Sequence, residues 1–300
     1  MDHHALRQKV IDQFIRHWSN ARPENAKTVV EHLTNLYDKF HSHGLTDRIF
    51  EKEITSGDIN RYTQRTAELL LADMLWQDGF TLRSENSGPD FRATKNGFSA
   101  WIELHTPEPK GIPVEYFQTT KEPIVKGVPF DEISLRWTAA FSEKKSKLRG
   151  YLESGIVKPS DPYVIAINAH LLSRRPFHGL NGVSGKPVPV EILFSVGPRQ
   201  IHIDRMSGTI VDQSHAHRPS IPKAGSVNKV PADSFLDPEN ISISAVLGVD
   251  LLEQTVLKAV HPSAVVYNPQ AINPIPLNWL SAQEQWACKM ELEDYSVYKL

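Results

Sequence analysis

Ser87-Gly88-Pro89-Asp90-Phe91 and, after a turn, Trp101-Ile102-Glu103-Leu104-His105 decide how this chain is read. Between them stands Lys95-Asn96-Gly97. Asn-Gly accepts the positive φ that a tight hairpin turn demands, so two antiparallel strands are expected. Side chains alternate across a strand. Phe98, Ala100, Ile102 and Leu104 then share one apolar face, and Ser99, Trp101, Glu103 and His105 share the other. Glu103 and His105 therefore lie side by side, next to a partner strand led in by Asp90. Two carboxylates and an imidazole on one hairpin make a candidate divalent-metal site.

Composition narrows the setting. The chain has 300 residues, 40% of them hydrophobic, which supports one large domain or two modest ones. A formal charge of -2 gives no global bias toward nucleic acid, so any such surface must concentrate Lys and Arg locally. The single Cys288 excludes an intramolecular disulfide and a cysteine-based zinc site, and suits a reducing compartment. No apolar run approaches the roughly 20 residues of a transmembrane helix. Met1 to Arg7 lacks an apolar signal core. A cytoplasmic protein with no membrane partner is expected.

Outward from the hairpin, helical spacing is read over residues 5–18, 24–41, 59–78 and 131–154. The third helix carries Glu68 within a strongly apolar sequence, and Asp58 or a neighbour is expected to cap it. In the fourth, Lys144 lies in phase with Phe141 and Leu148, so it either snorkels or meets a carboxylate. Residues 106–130 read as an irregular Pro-rich stretch, long enough to be a lid, a binding loop or a disordered segment. Asp161-Pro162 turns into Tyr163-Val164-Ile165-Ala166-Ile167-Asn168, an apolar run expected of a strand buried on both faces. Val188 to Val196 is read as a further strand, and 200–204 with 209–212 as a hairpin. Residues 213–239 read as polar loop. Strands at 241–247 and 264–267 are the last expected, with a short amphipathic helix from Ser281.

The order is a helix with Glu68, a strand, Pro89-Asp90, a hairpin, Glu103-Leu104-His105, a helix with Lys144 and a buried strand. This order over about residues 58–168 resembles the PD-(D/E)xK nuclease superfamily, the restriction-endonuclease-like fold. The resemblance implies an α/β core, read as residues 56–170; an N-terminal helical segment (1–55) precedes it, and a β-rich part (171–300) extends the same sheet or forms a small second subdomain. It implies Mg²⁺ (or Mn²⁺) held by Asp90 and Glu103 with help from Glu68, and hydrolysis of phosphodiester bonds, in DNA rather than RNA. The lysine of the family motif is replaced by His105. Either His105 acts directly, its ordinary pKa being near neutrality, or Lys144 supplies the ammonium from the next helix. A third outcome is a nuclease fold kept as a binding or structural module without catalysis.

Each residue also has a plainer role. Asp90 can be a turn residue bonded to its own backbone, Glu103 a surface strand residue and Glu68 a solvated helix charge. His41 and His43 suit a helix end. His215 and His217 read as a solvated loop, with a zinc-dependent hydrolase as the weaker alternative. Lys144, Lys145, Lys147 and Arg149, and the Arg174-Arg175 loop between His170 and His178, are the local basic patches able to meet phosphates.

Overall fold

A computed structural model of the chain describes residues 3–85, 87–118, 127–174, 179–257, 261–292 and 294–300. Three helices come first: α1 (His3–Trp18), α2 (Pro23–Ser42) and α3 (Arg48–Ile54). α4 (Ile59–Gln77) follows, then β1 (Thr81–Arg83), β2 (Phe91–Lys95) and β3 (Phe98–His105). A helical turn α5 (Val114–Phe117), the long α6 (Phe130–Glu153) and β4 (Tyr163–Asn168) lead to α7 (Val188–Phe194). The C-terminal part is β-rich: β5 (Val196–Ile203), β6 (Ile210–His217), β7 (Ser220–Pro222), β8 (Lys229–Pro231), β9 (Ala245–Val249), β10 (Ser263–Tyr267), β11 (Glu284–Met290) and β12 (Tyr295–Lys299).

Eight strands form one mixed sheet in the order β1-β2-β3-β4-β9-β10-β11-β12. β1, β2 and β3 are an antiparallel meander, and β3, β4 and β9 run parallel. The Asn96-Gly97 turn takes the expected form, with positive φ at both residues. Strand alternation on β3 sends Ala100, Ile102 and Leu104 into the core shared with α1, α2, α3 and α4. Trp101 goes to the other face, into a core shared with α6 and α7. β4 contributes to both cores and is buried along its whole length. Its continuous apolar sequence follows from that position in the sheet.

Capping fixes two helices near the hairpin. Asp58 accepts from the backbone N–H groups of Asn60 (2.9 Å) and Arg61 (3.0 Å) and starts α4. Asp47 accepts from Phe50 N–H at 2.6 Å and starts α3, which the periodicity did not mark.

Three expectations fail. Val188 to Phe194 is a helix, because a short apolar run does not separate buried helix from buried strand. Pro189 in its first turn favours the helix, and Ser195, at φ +56, ends it. Residues after Ser281 form β11, which pairs parallel to β10 and antiparallel to β12. The polar 213–239 stretch holds the end of β6 and the β7–β8 ribbon. Of the Pro-rich stretch, 119–126 lie outside the described residues, as do Arg175 and His178. Among the described residues no helix is long and apolar enough to cross a membrane.

Candidate functional site

Register brings the first two carboxylates together. Phe91 pairs with Ile102, so Asp90, one residue before β2, stands level with Glu103. Asp90 Oδ2 accepts from the Leu104 N–H at 2.6 Å. This contact crosses the hairpin, so Asp90 is not satisfied by its own turn. Glu103 is 2% exposed and faces α6. Its Oε1 accepts from Lys144 Nζ at 2.8 Å and from Lys147 Nζ at 3.3 Å. Its Oε2 lies 3.4 Å from the Tyr151 hydroxyl. Lys144 is 4% exposed, so its place in the apolar stripe of α6 ends at a carboxylate and not in solvent.

Glu68 arrives from the opposite face of the sheet, on α4, and is 5% exposed. Its Oε1 accepts from Arg65 at 2.7 Å and from Gln64 Nε2 at 3.3 Å. Arg65 also reaches Glu53 of α3 at 2.6 Å. Gln64 Oε1 accepts from Thr106 N–H at 2.8 Å, which ties α4 to the end of β3. His105 Nε2 lies 3.7 Å from Glu143 Oε2.

Burial and like charge set the proton affinities. Asp90 is held well above the usual carboxylate range by burial, then by Glu103 and Glu68; Lys144 and the Leu104 N–H offset only part of this. Glu68 is raised by burial, against Arg65, Gln64 and Lys144. Burial alone would lower the Lys144 ammonium, but Glu103 and Asp90 outweigh it and raise it, so the lysine stays charged. His105 is pushed down to about 4 by burial and by Lys144, with Glu143 opposing and Lys147 and Arg136 adding to the fall. Its imidazole is neutral at pH 7.

Asp90, Glu103, Glu68, His105 and Lys144 all line one cleft of about 530 Å³ between α4 and α6. Eight carboxylate residues and six Lys and Arg line it, a formal charge of -2. Among the described residues no group of three or more His, Cys, Asp or Glu side chains is placed to hold a metal ion. His215 and His217 lie on β6, where His215 Nε2 stands 3.3 Å from the Ser184 carbonyl. Lys145 faces Glu239 at 3.7 Å, away from the cleft.

Sequence reasoning missed Arg65 and Gln64, and took Tyr151 only as an apolar position. Spacing held the signal: Arg65 precedes Glu68 by three residues, and Tyr151 follows Lys147 by four, so each pair shares a helix face. Comparison with family models, with curated proteins and with solved structures found no match to this chain.

Proposed function

We propose that the chain is a metal-dependent nuclease with a restriction-endonuclease-like core, hydrolysing phosphodiester bonds in DNA. The succession α4, β1-β2-β3 meander, α6 and β4 parallel to β3 supports this reading, since its element order agrees with the one the resemblance implies. The observation that carries the reading is the Lys144 ammonium, 2.8 Å from Glu103 in a buried site. It lies beside the carboxylates and can supply the ammonium of the motif lysine, whose sequence position His105 occupies.

The donors suit a hard cation. Mg²⁺ asks for one or two carboxylates and otherwise keeps water and substrate oxygens. Asp90 and Glu103 meet that demand. Burial first, then Glu103 and Glu68, raises the proton affinity of Asp90, and the cleft as a whole carries a formal charge of -2. Mg²⁺ or Mn²⁺, when bound, screens phosphate charge and acidifies a water.

The remaining roles belong to the chain. Lys144 is a fixed cation and hydrogen-bond donor for charge that develops on attack at phosphorus. Arg65 and Gln64 hold Glu68 in place in the cleft that Asp90 also lines. His105, neutral and of low basicity, is a poor proton acceptor at pH 7 and takes no catalytic step here.

A second reading keeps the fold as a binding module without catalysis, and the net negative cleft favours it. Plasmid cleavage with Mg²⁺ or Mn²⁺ separates the two. Wild type should nick or linearise DNA, and Asp90→Ala and Glu103→Ala should each lose at least about 100-fold. Cleavage that survives both substitutions would overturn the mechanism. A folded wild type without cleavage would leave the binding module.

A further inference from the structure

Two ammonium groups meet one oxygen of Glu103. Lys144 is buried and its contact is 2.8 Å; Lys147 makes a 3.3 Å contact and keeps about half of its side chain exposed, at 47%. The carboxylate oxygen is satisfied by the buried partner. Lys147 holds the longer of the two contacts, to an oxygen the buried lysine already meets, and its half-exposed ammonium keeps other donors free. Its flexible stem can redirect the ammonium into the cleft at small cost.

The other cations of the cleft are mostly committed. Arg65 is held between Glu53 and Glu68 and Arg136 donates to the Glu108 carbonyl, while Lys110, in an exposed pair with Glu108 at 3.0 Å, sits on the loop after β3 and not on a helix wall. Arg61, on the first turn of α4, is exposed, and its guanidinium has no carboxylate partner among the described residues. Lys147 on α6 and Arg61 on α4 therefore stand on the two helices that bound the cleft, each with donors to spare. A phosphodiester chain lying in the cleft needs such donors on its walls, since the floor is a row of carboxylates.

We infer that Lys147 and Arg61 are the phosphate-contacting residues of the cleft, gripping the nucleic-acid backbone from α6 and α4 over the carboxylates of the floor. This rests on the nuclease or nucleic-acid-binding reading of the same site. The grip carries no base specificity, and its effect is on affinity and salt dependence.

Binding of a fluorescent DNA oligonucleotide is followed by anisotropy with Ca²⁺ over a range of salt, for wild type, Lys147→Met, Arg61→Met and Lys147→Arg. Mn²⁺ binding is measured on the same proteins by calorimetry. Each Met variant should weaken DNA binding about 10-fold and reduce the salt slope by about 1. Lys147→Arg should retain most binding, and Mn²⁺ affinity should not fall in any variant. Unchanged DNA affinity and salt slope in both Met variants, beside a wild type that binds DNA, would overturn this grip and leave the nuclease reading standing. A wild type that binds Mn²⁺ but no DNA would overturn both, whereas intact grip without cleavage would remove catalysis alone.

Discussion

Asp90 shows how one side chain can lower the stability of the free protein. Its carboxylate keeps one good hydrogen bond, to the Leu104 N–H, yet burial and the neighbouring Glu103 and Glu68 raise its proton affinity. A carboxyl group raised in the folded state contributes stability at pH values below its unfolded pKa and loses it as pH rises. Asp90→Asn keeps an oxygen for Leu104 and removes the charge. In EDTA at pH 7.5 the variant should be more stable than wild type by about 1 kcal/mol, or roughly 2–4 °C. The difference should close as the pH approaches 4. Thermal melts at several pH values check this, and an Asn variant less stable than wild type at neutral pH would refute the charge account. Stability and function then pull apart at this residue, as they do at sites built to receive a ligand.

Among the elements, α4 joins two others and lines the cleft, and it does so through side chains on one face. Arg65 links it to Glu53 of α3, Gln64 links it to the end of β3, and Glu68 lines the cleft. Removing Arg65 leaves Glu68 buried without its main partner. Arg65→Met should cost about 3–5 kcal/mol, the range for breaking a buried pair. Adding Glu68→Gln should return much of the loss, and a double-mutant cycle by urea denaturation measures that coupling. Simple additivity of the two losses would show that the pair is not a unit. Helix periodicity made α4 and α6 legible, Asn96-Gly97 made the hairpin legible, and an unbroken apolar run made β4 legible. The same logic misread Val188–Phe194, where seven buried residues carry no period to distinguish helix from strand. It missed β11, whose pairing with β10 and β12 is set by distant segments. In the cleft, Asp90, Glu103, Glu68 and Lys144 were legible because element order placed them near one another. The contacts of Tyr151 with Glu103 and of Arg65 with Glu53 were not, since they depend on how α6 and α3 settle against the rest of the fold.

For the whole molecule, the cleft is the place where opposing layers meet and where charge does not cancel. α1 to α4 cover one face of the sheet and α6 and α7 the other, so the -2 charge lies between layers whose packing holds the carboxylates together. A divalent cation bound there acts on the stability of the whole fold. A ligand that binds only the native state at 100 times its Kd stabilises by about 2.7 kcal/mol. At 2–4 °C per kcal/mol this is a rise in Tm of about 5–10 °C. The rise should grow with the logarithm of Mg²⁺ concentration. It should also grow with pH, because the raised proton affinity of Asp90 makes binding compete with a proton. Monovalent salt at equal ionic strength should not reproduce it. Asp90→Asn, already relieved of the charge, should show little response. Melting curves in MgCl₂ at pH 6 and pH 8 test the whole relation. Equal shifts in wild type and Asp90→Asn would place the ion elsewhere, and a flat response in wild type would mean that the paired lysines leave this cleft no demand for a cation.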